Sequence, residues 1–119
     1  MNAYRAPLGD MQFLMSEVFQ ADKLFASMPG TAEVTPDLIS AILEEAAKIA
    51  ENLLSPINQN GDHEGCQWID GVVTTPVGFR EAYEQYVAGG WAGLTGDTDF
   101  GGQGMPKLLS SQIEEMFFG

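Results

Sequence analysis

The sequence predicts an all-α domain of about four helices, with one small β-hairpin between the second and the third. Three observations carry that prediction. Apolar residues recur at spacings of three and four in separate segments, as one face of a helix requires. Two segments open on a threonine–proline pair, Thr35-Pro36 and Thr75-Pro76, where the hydroxyl can cap free amides and proline suits the first helical position. Between Asn58 and Thr75 the helical period is lost. There Trp68-Ile69-Asp70-Gly71-Val72-Val73 reads as two short strands around an Asp-Gly turn.

The first helix is expected from Asp10 to Ser27. Leu8, Met11, Leu14, Met15, Val18 and Phe19 form its stripe, Asp10 serves as N-cap and Pro29-Gly30 stops it. The second opens at Thr35 and Pro36, with Asp37 in the first turn where the helix dipole favours an acid. Its apolar face runs from Leu38 and Ile39 to Leu53 and Leu54, and Ser55-Pro56 closes it. Glu44 and Lys48 have the favourable i,i+4 order. Asn60-Gly61 and Glu64-Gly65 are turn signals. Two strands alone are marginal in water, so the hairpin is expected to lean on the helices. The third helix starts at Thr75-Pro76, turns Phe79, Ala82, Tyr83, Tyr86 and Val87 inward, and stops at Gly89-Gly90. The fourth follows Pro106 with Leu108, Leu109, Gln112, Ile113, Met116 and Phe117.

Between the third and fourth helices, seven of the eighteen residues Gly89 to Pro106 are glycine. The stretch also carries Trp91, Leu94, Phe100 and Met105, which flexible linkers lack. It reads as a backbone that turns sharply while its large apolar groups stay anchored.

The 119 residues hold five basic and seventeen acidic side chains, for a net charge of −12. The five basic residues are scattered singly, which disfavours nucleic-acid binding and anionic membrane surfaces. One cysteine excludes an intrachain disulfide, and no segment has the apolar length of a signal peptide or membrane span. The cytoplasm is the expected location.

Candidate chemistry is sparse. Asp62-His63-Glu64 with Cys66 matches no zinc spacing, and the preceding Asn-Gly residues do not complete a calcium loop. His63 reads as a surface histidine and Cys66 as a small semi-buried thiol. Gly101-Gly102-Gln103-Gly104 fits neither phosphate-binding loop nor dinucleotide fingerprint. Glu44-Glu45 and Glu114-Glu115 are sequence neighbours and so diverge on a helix rather than pairing. No metal site, catalytic residue or cofactor-binding residue is assigned.

The run Gly90-Trp91-Ala92-Gly93-Leu94, followed by Asp99-Phe100-Gly101-Gly102-Gln103-Gly104-Met105-Pro106, resembles the N-terminal helical domain of the acyl-CoA dehydrogenases. Thr98-Asp99-Phe100 stands where many relatives carry a proline and a tyrosine. Ser55 to Cys66, Thr74 to Tyr83 and the opening Tyr4 to Met11 extend the likeness. They resemble a bacterial subgroup that includes 3-methylmercaptopropionyl-CoA dehydrogenases. The resemblance covers nearly the whole chain. It implies residues 1–30 as an N-terminal helical extension, and residues 31–119 as the family's N-terminal domain, truncated at its C-terminal end. Met116-Phe117-Phe118 is an apolar close for an independent domain, which also suggests a longer parent chain.

In that family a glutamate removes the α-proton of an acyl thioester and the β-hydrogen leaves as hydride to FAD. Both the glutamate and the main flavin contacts belong to later domains, so the resemblance implies an inactive segment of an active parent. It further implies an acyl-CoA substrate, an electron-transfer flavoprotein as acceptor, and homo-oligomers formed through the missing domains. The helix after the glycine turn would supply one wall of the acyl pocket, with Gln112, Ile113, Glu115, Met116 and Phe117 near it by position. An acyl-CoA oxidase shares this fold. A free-standing acidic helical interaction module, docking through Met116 to Phe118, is the reading from a different class.

Overall fold

A computed structural model describes residues 3–119. Its elements, in chain order, are α1 (Leu8–Phe13), a π-helical turn Leu14–Val18, α2 (Ala21–Ser27), α3 (Pro36–Ile49), a second π-helical turn Ala50–Leu54 and α4 (Ser55–Glu64). The strands β1 (Gln67–Ile69) and β2 (Val72–Thr74) follow, then α5 (Phe79–Ala88), 3-10 turns at Trp91–Gly93 and Thr98–Phe100, and α6 (Lys107–Phe118). The expected helical class, with its single hairpin, is what the chain adopts.

Local chemistry explains the starts and stops that the sequence placed correctly. Thr35 Oγ1 accepts the Leu38 amide at 3.2 Å, with Pro36 at the first helical position and Asp37 in the first turn. Gly90, at φ 78°, takes the left-handed conformation that ends α5. Asp70 and Gly71 sit at φ 52° and 80°, the two positive values a type I′ hairpin turn needs.

Several boundaries differ from expectation. The first helix is not continuous: a π turn covers Leu14–Val18 and Gln20, at φ 47°, breaks the chain. An unbroken helix would put Val18, seven residues after Met11, on the same face. Across the π turn and the break, Met11, Met15, Ala21 and Phe25 are buried, while Leu14, Val18 and Phe19 of the expected stripe are exposed. Nor does Asp10 cap: α1 begins after Pro7 with no side-chain cap, and Asp10 lies within the first turn.

Ser55-Pro56 does not end the second helix. In an unbroken α-helix the Pro56 ring would clash with the Asn52 carbonyl. The π turn widens the helix just before it, with the Ser55 amide bonded to Ala50 O, and proline becomes an opening residue of α4. Asn60-Gly61 therefore lies inside α4, which ends at Gly65. Gly61 has no Cβ because the Phe79 ring occupies that place; this contact ties α5 to α4. Helix α5 starts at Phe79 with Gly78 before it, not at Thr75-Pro76. Lys48 pairs with Glu45 at 2.6 Å rather than with Glu44, and both side chains are exposed, so the pair contributes little.

The core lies where α3 and the π turn after it meet α6 and the α1–α2 segment. Leu43, Ala46 and Leu109 are fully buried there, with Phe25, Met11 and Met15 beside them. Ala46 and Ala47 of α3, with Ala50 of the π turn, make a small-residue stripe against which the larger groups of the neighbouring segments seat. The body is flat, 54 × 38 × 16 Å. Its radius of gyration is 16.7 Å, against about 13–14 Å for a globular domain of this length.

Much apolar surface is consequently uncovered. The hairpin does not lean on the helices: Trp68, Ile69, Val72 and Val73 are 62–71% exposed, and β1 and β2 pair only with each other. On α5 only Ala82 is buried, while Tyr83 and Val87 of the expected inner face are exposed. Cys66 is exposed rather than semi-buried.

The glycine-rich loop is tightly built. Gln103, Gly104 and Met105 amides donate to the carbonyls of Gly93, Gly96 and Leu94, each at 2.9 Å. Gly102 lies against the Gly96 backbone, where any Cβ would collide. Gln103 Nε2 donates to Gly90 O at 2.9 Å, and Asp97 accepts the Asp99 amide at 2.8 Å. Leu94 is buried and Trp91 and Met105 pack on the core. Phe100, expected to be anchored with them, is instead 91% exposed, on the second 3-10 turn.

Candidate functional site

An open groove of about 520 Å³ lies between the helices. Three layers build it. Ala50 and Leu54 from the π turn, with Ser55, Ile57 and Asn58 from α4, make one side. Phe79, Ala82, Tyr83 and Tyr86 of α5 make the opposite side. Met116 to Gly119 close the bottom, and Tyr4 enters from the leading segment. The volume falls within the range of small-molecule sites, whose linings are mainly apolar and aromatic with a few polar groups.

Aromatic packing fixes the groove's shape. Phe117 stands edge-on to Tyr86, with ring centroids 5.9 Å apart at 70°, and edge-on to Trp91, 5.7 Å apart at 80°. Tyr83 stacks on Tyr86 at 6.5 Å. This cluster joins α5, the Gly-Trp turn and the end of α6. Each such pair adds about 0.5–1.5 kcal/mol beyond its buried area. The turn's glycines matter to the groove because they let Trp91 reach Phe117.

The five residues expected along the acyl wall separate by depth. Met116 and Phe117 line the groove. Ile113 is one turn back in the core, and Gln112 is buried beside it. The Gln112 Oε1 atom has no hydrogen-bond partner among the described residues, a burial that costs about 1–3 kcal/mol. Glu115 is exposed, yet close enough to Tyr4 to act on its phenol. Partial burial is the largest influence raising the Tyr4 pKa above its ordinary 10.0, followed by the negative charges of Glu115 and Glu51.

No acidic, basic, histidine or cysteine side chain lines the groove. Asn58, Ser55 and the tyrosine hydroxyls are its polar side-chain groups. Such a surface can hold and orient an apolar ligand; it offers no side chain for proton transfer near neutral pH. His63 lies exposed on α4, away from this lining. Among the described residues no three His, Cys, Asp or Glu side chains gather where they could hold a metal ion. No helix among them is long and apolar enough to cross a membrane. Tyr4 and the α4 residues escaped the sequence reading of the site. Periodicity reports which residues share a face of one helix, and these meet α6 only through contacts distant in sequence.

No family model matches the chain. Two curated proteins align with nearly all of it. It is similar to the 3-methylmercaptopropionyl-CoA dehydrogenase of Ruegeria pomeroyi, 31% identical over 113 residues, which are 95% of this chain and 19% of that protein. It is also similar to the butyryl-CoA dehydrogenase of Syntrophomonas wolfei, 28% identical over 119 residues, covering 98% of this chain and 19% of that protein. The chain thus spans about a fifth of the length of the curated relatives it matches. Its helices, its single hairpin and this similarity agree: along nearly its whole length the chain is acyl-CoA dehydrogenase-like, and it fits the helical N-terminal domain of that fold.

Proposed function

We propose that these residues form the N-terminal helical domain of an FAD-dependent acyl-CoA dehydrogenase, which introduces a double bond between the α and β carbons of an acyl thioester in the cytoplasm. In this reading the domain contributes one wall of the acyl pocket, and Met116 and Phe117 present it. The observation that carries the reading is the groove itself: apolar, aromatic, open on one side and of ligand size, in a chain whose relatives are named for acyl-CoA dehydrogenation.

FAD does not fit the residues of this groove. A dinucleotide's pyrophosphate calls for basic side chains or a converging set of amides, and the lining has no Arg or Lys. The flavin, the catalytic base and the docking of an electron-transfer flavoprotein are therefore assigned to other parts of the polypeptide, as is assembly into homo-oligomers.

The test is spectroscopic. The complete polypeptide that carries these residues is purified and mixed anaerobically with acyl-CoA thioesters. The expected result is a flavin spectrum that bleaches on addition of thioester, with a 2-enoyl-CoA as product. The 119 residues expressed alone are expected to be colourless and inactive. A complete protein without flavin overturns the proposal, and so does turnover by the isolated chain. Flavin reoxidation by oxygen at catalytic rates would make the parent an oxidase instead. The interaction-module reading expects the isolated chain to sediment as a monomer and melt cooperatively, whereas a domain parted from its neighbours aggregates or loses fixed packing.

A further inference from the structure

The leading segment is tied down in an unusual way. The described residues before Leu8, from residue 3 on, form no helix or strand, yet they are held to the body by one carboxylate. Glu51, in the π turn Ala50–Leu54, accepts the Ala6 amide on Oε1 at 2.9 Å and faces the Arg5 guanidinium through Oε2 at 3.3 Å. The Arg5 side chain is 79% exposed and that of Glu51 only 20%. The ion pair is thus largely screened, and the hydrogen bond that the Ala6 N–H donates to the carboxylate is the firmer tie. Tyr4 and Ala6 then pack on the core, and Tyr4 enters the groove.

Within the groove Tyr4 differs from its neighbours. Leu54, Phe79, Tyr86 and Met116 stand on helical turns whose own hydrogen bonds hold them. Tyr4 stands on a strap whose position depends on contacts forty-five and forty-six residues away. Ala50 and Met116 line the groove with it and are almost fully buried. The two carboxylates that act on its phenol, Glu51 and Glu115, place it between the π turn and the end of α6. Arg5, beside Tyr4 in sequence, is engaged by Glu51.

We propose that Tyr4 is a specificity-determining residue: held by the Glu51 clamp, its ring fills the bottom of the groove and limits the length of acyl chain the groove accepts. The proposal rests on the reading of the groove as an acyl site. Glu51 acts through Tyr4 and is a positioning residue. Removing the ring adds apolar space beside the co-lining Ala50 and Met116, where the far end of a longer chain can lie.

The complete flavoenzyme is assayed with butanoyl-CoA and dodecanoyl-CoA, and the ratio of kcat/KM for the long chain over the short chain is the readout. In Tyr4→Ala the ratio rises by about tenfold or more, since a few methylenes in an apolar pocket discriminate on that scale. In Tyr4→Phe, which keeps the ring, it stays at the wild-type value. Glu51→Ala frees the strap and moves the ratio in the same direction. Glu51→Gln keeps an acceptor for the Ala6 amide and does not. Isothermal titration of the two corresponding enoyl-CoA products gives the same ranking without turnover. A wild-type enzyme that is active, with a ratio unmoved in Tyr4→Ala, overturns this proposal alone. So does a uniform loss of rate on both substrates. A wild type that turns over neither thioester overturns the functional reading, and this proposal with it.

Discussion

Replacing Gly61 by alanine sets two opposed effects against each other. Gly61 lies inside α4, where alanine is favoured over glycine by about 1 kcal/mol. The Phe79 ring, however, occupies the place of the new Cβ. Phe79 is 36% exposed, so roughly two-thirds of its burial is at stake, worth about 1–2 kcal/mol from the usual value for a phenylalanine side chain. If the ring is driven out, Gly61→Ala is neutral to destabilising by about 1 kcal/mol. In a Phe79→Ala background the ring is gone and only the helical gain is left. The same substitution then stabilises by about 1 kcal/mol, and the coupling between the two sites is about 1–2 kcal/mol. Urea unfolding of the four proteins measures this, provided the slope with denaturant is unchanged so that midpoints report stability. Stabilisation of the Phe79 protein by the full helical gain would refute the argument. It would mean that α5 is not seated on α4 through this ring.

Two further outcomes follow from the same structure. Gly102→Ala directs a Cβ at the Gly96 backbone, which no rotamer change can relieve. It is expected to cost about 2 kcal/mol, whereas Gly9→Ala, which meets nothing within 4 Å, is neutral or slightly stabilising; equal melting temperatures for the two variants would contradict this. Tyr4 has a folded-state pKa above 10.0, so the unfolded phenol releases its proton first. Its contribution is present below that pH and is lost as pH rises through the folded value. Tyr4→Phe should therefore lose less stability than the parent between about pH 9 and about pH 11, and an equal loss in both proteins, read from urea midpoints, would count against it.

What the sequence could disclose depended on how local each cause was. The opening of α3 was legible because a hydroxyl, a proline and an acid act within four residues of one another. The hairpin was legible for the same reason, since Asp70 and Gly71 fix its turn by themselves. Ser55-Pro56 misled because proline ends an ordinary helix, and nothing in its neighbourhood announces that a π turn will make room for it. The break at Gln20 has no local signal: its neighbours read as one continuous stripe, and which of them are buried is decided in a core shared with α3 and α6. The hairpin's exposure and the bare face of α5 were illegible for a different reason. Apolar periodicity shows that a face can be covered, not that this chain supplies the cover. At the groove, the spacing of α6 put Met116 and Phe117 on one helix face. Tyr4 arrives beside them only through a carboxylate in the π turn.

The flatness of the body has an effect on its motions. With 16 Å through its thinnest direction, no atom on the mid-plane is farther than about 8 Å from one of the two broad sides. Local openings need to cross only that distance to admit solvent, and they are easier the fewer apolar contacts they break. Amides slow to exchange deuterium would then trace a narrow seam along α3 and α6, through Leu43, Ala46 and Leu109, instead of filling a ball. Stiffness in such a plate runs along one line, and whatever lies against either broad side does so over backbone that breathes.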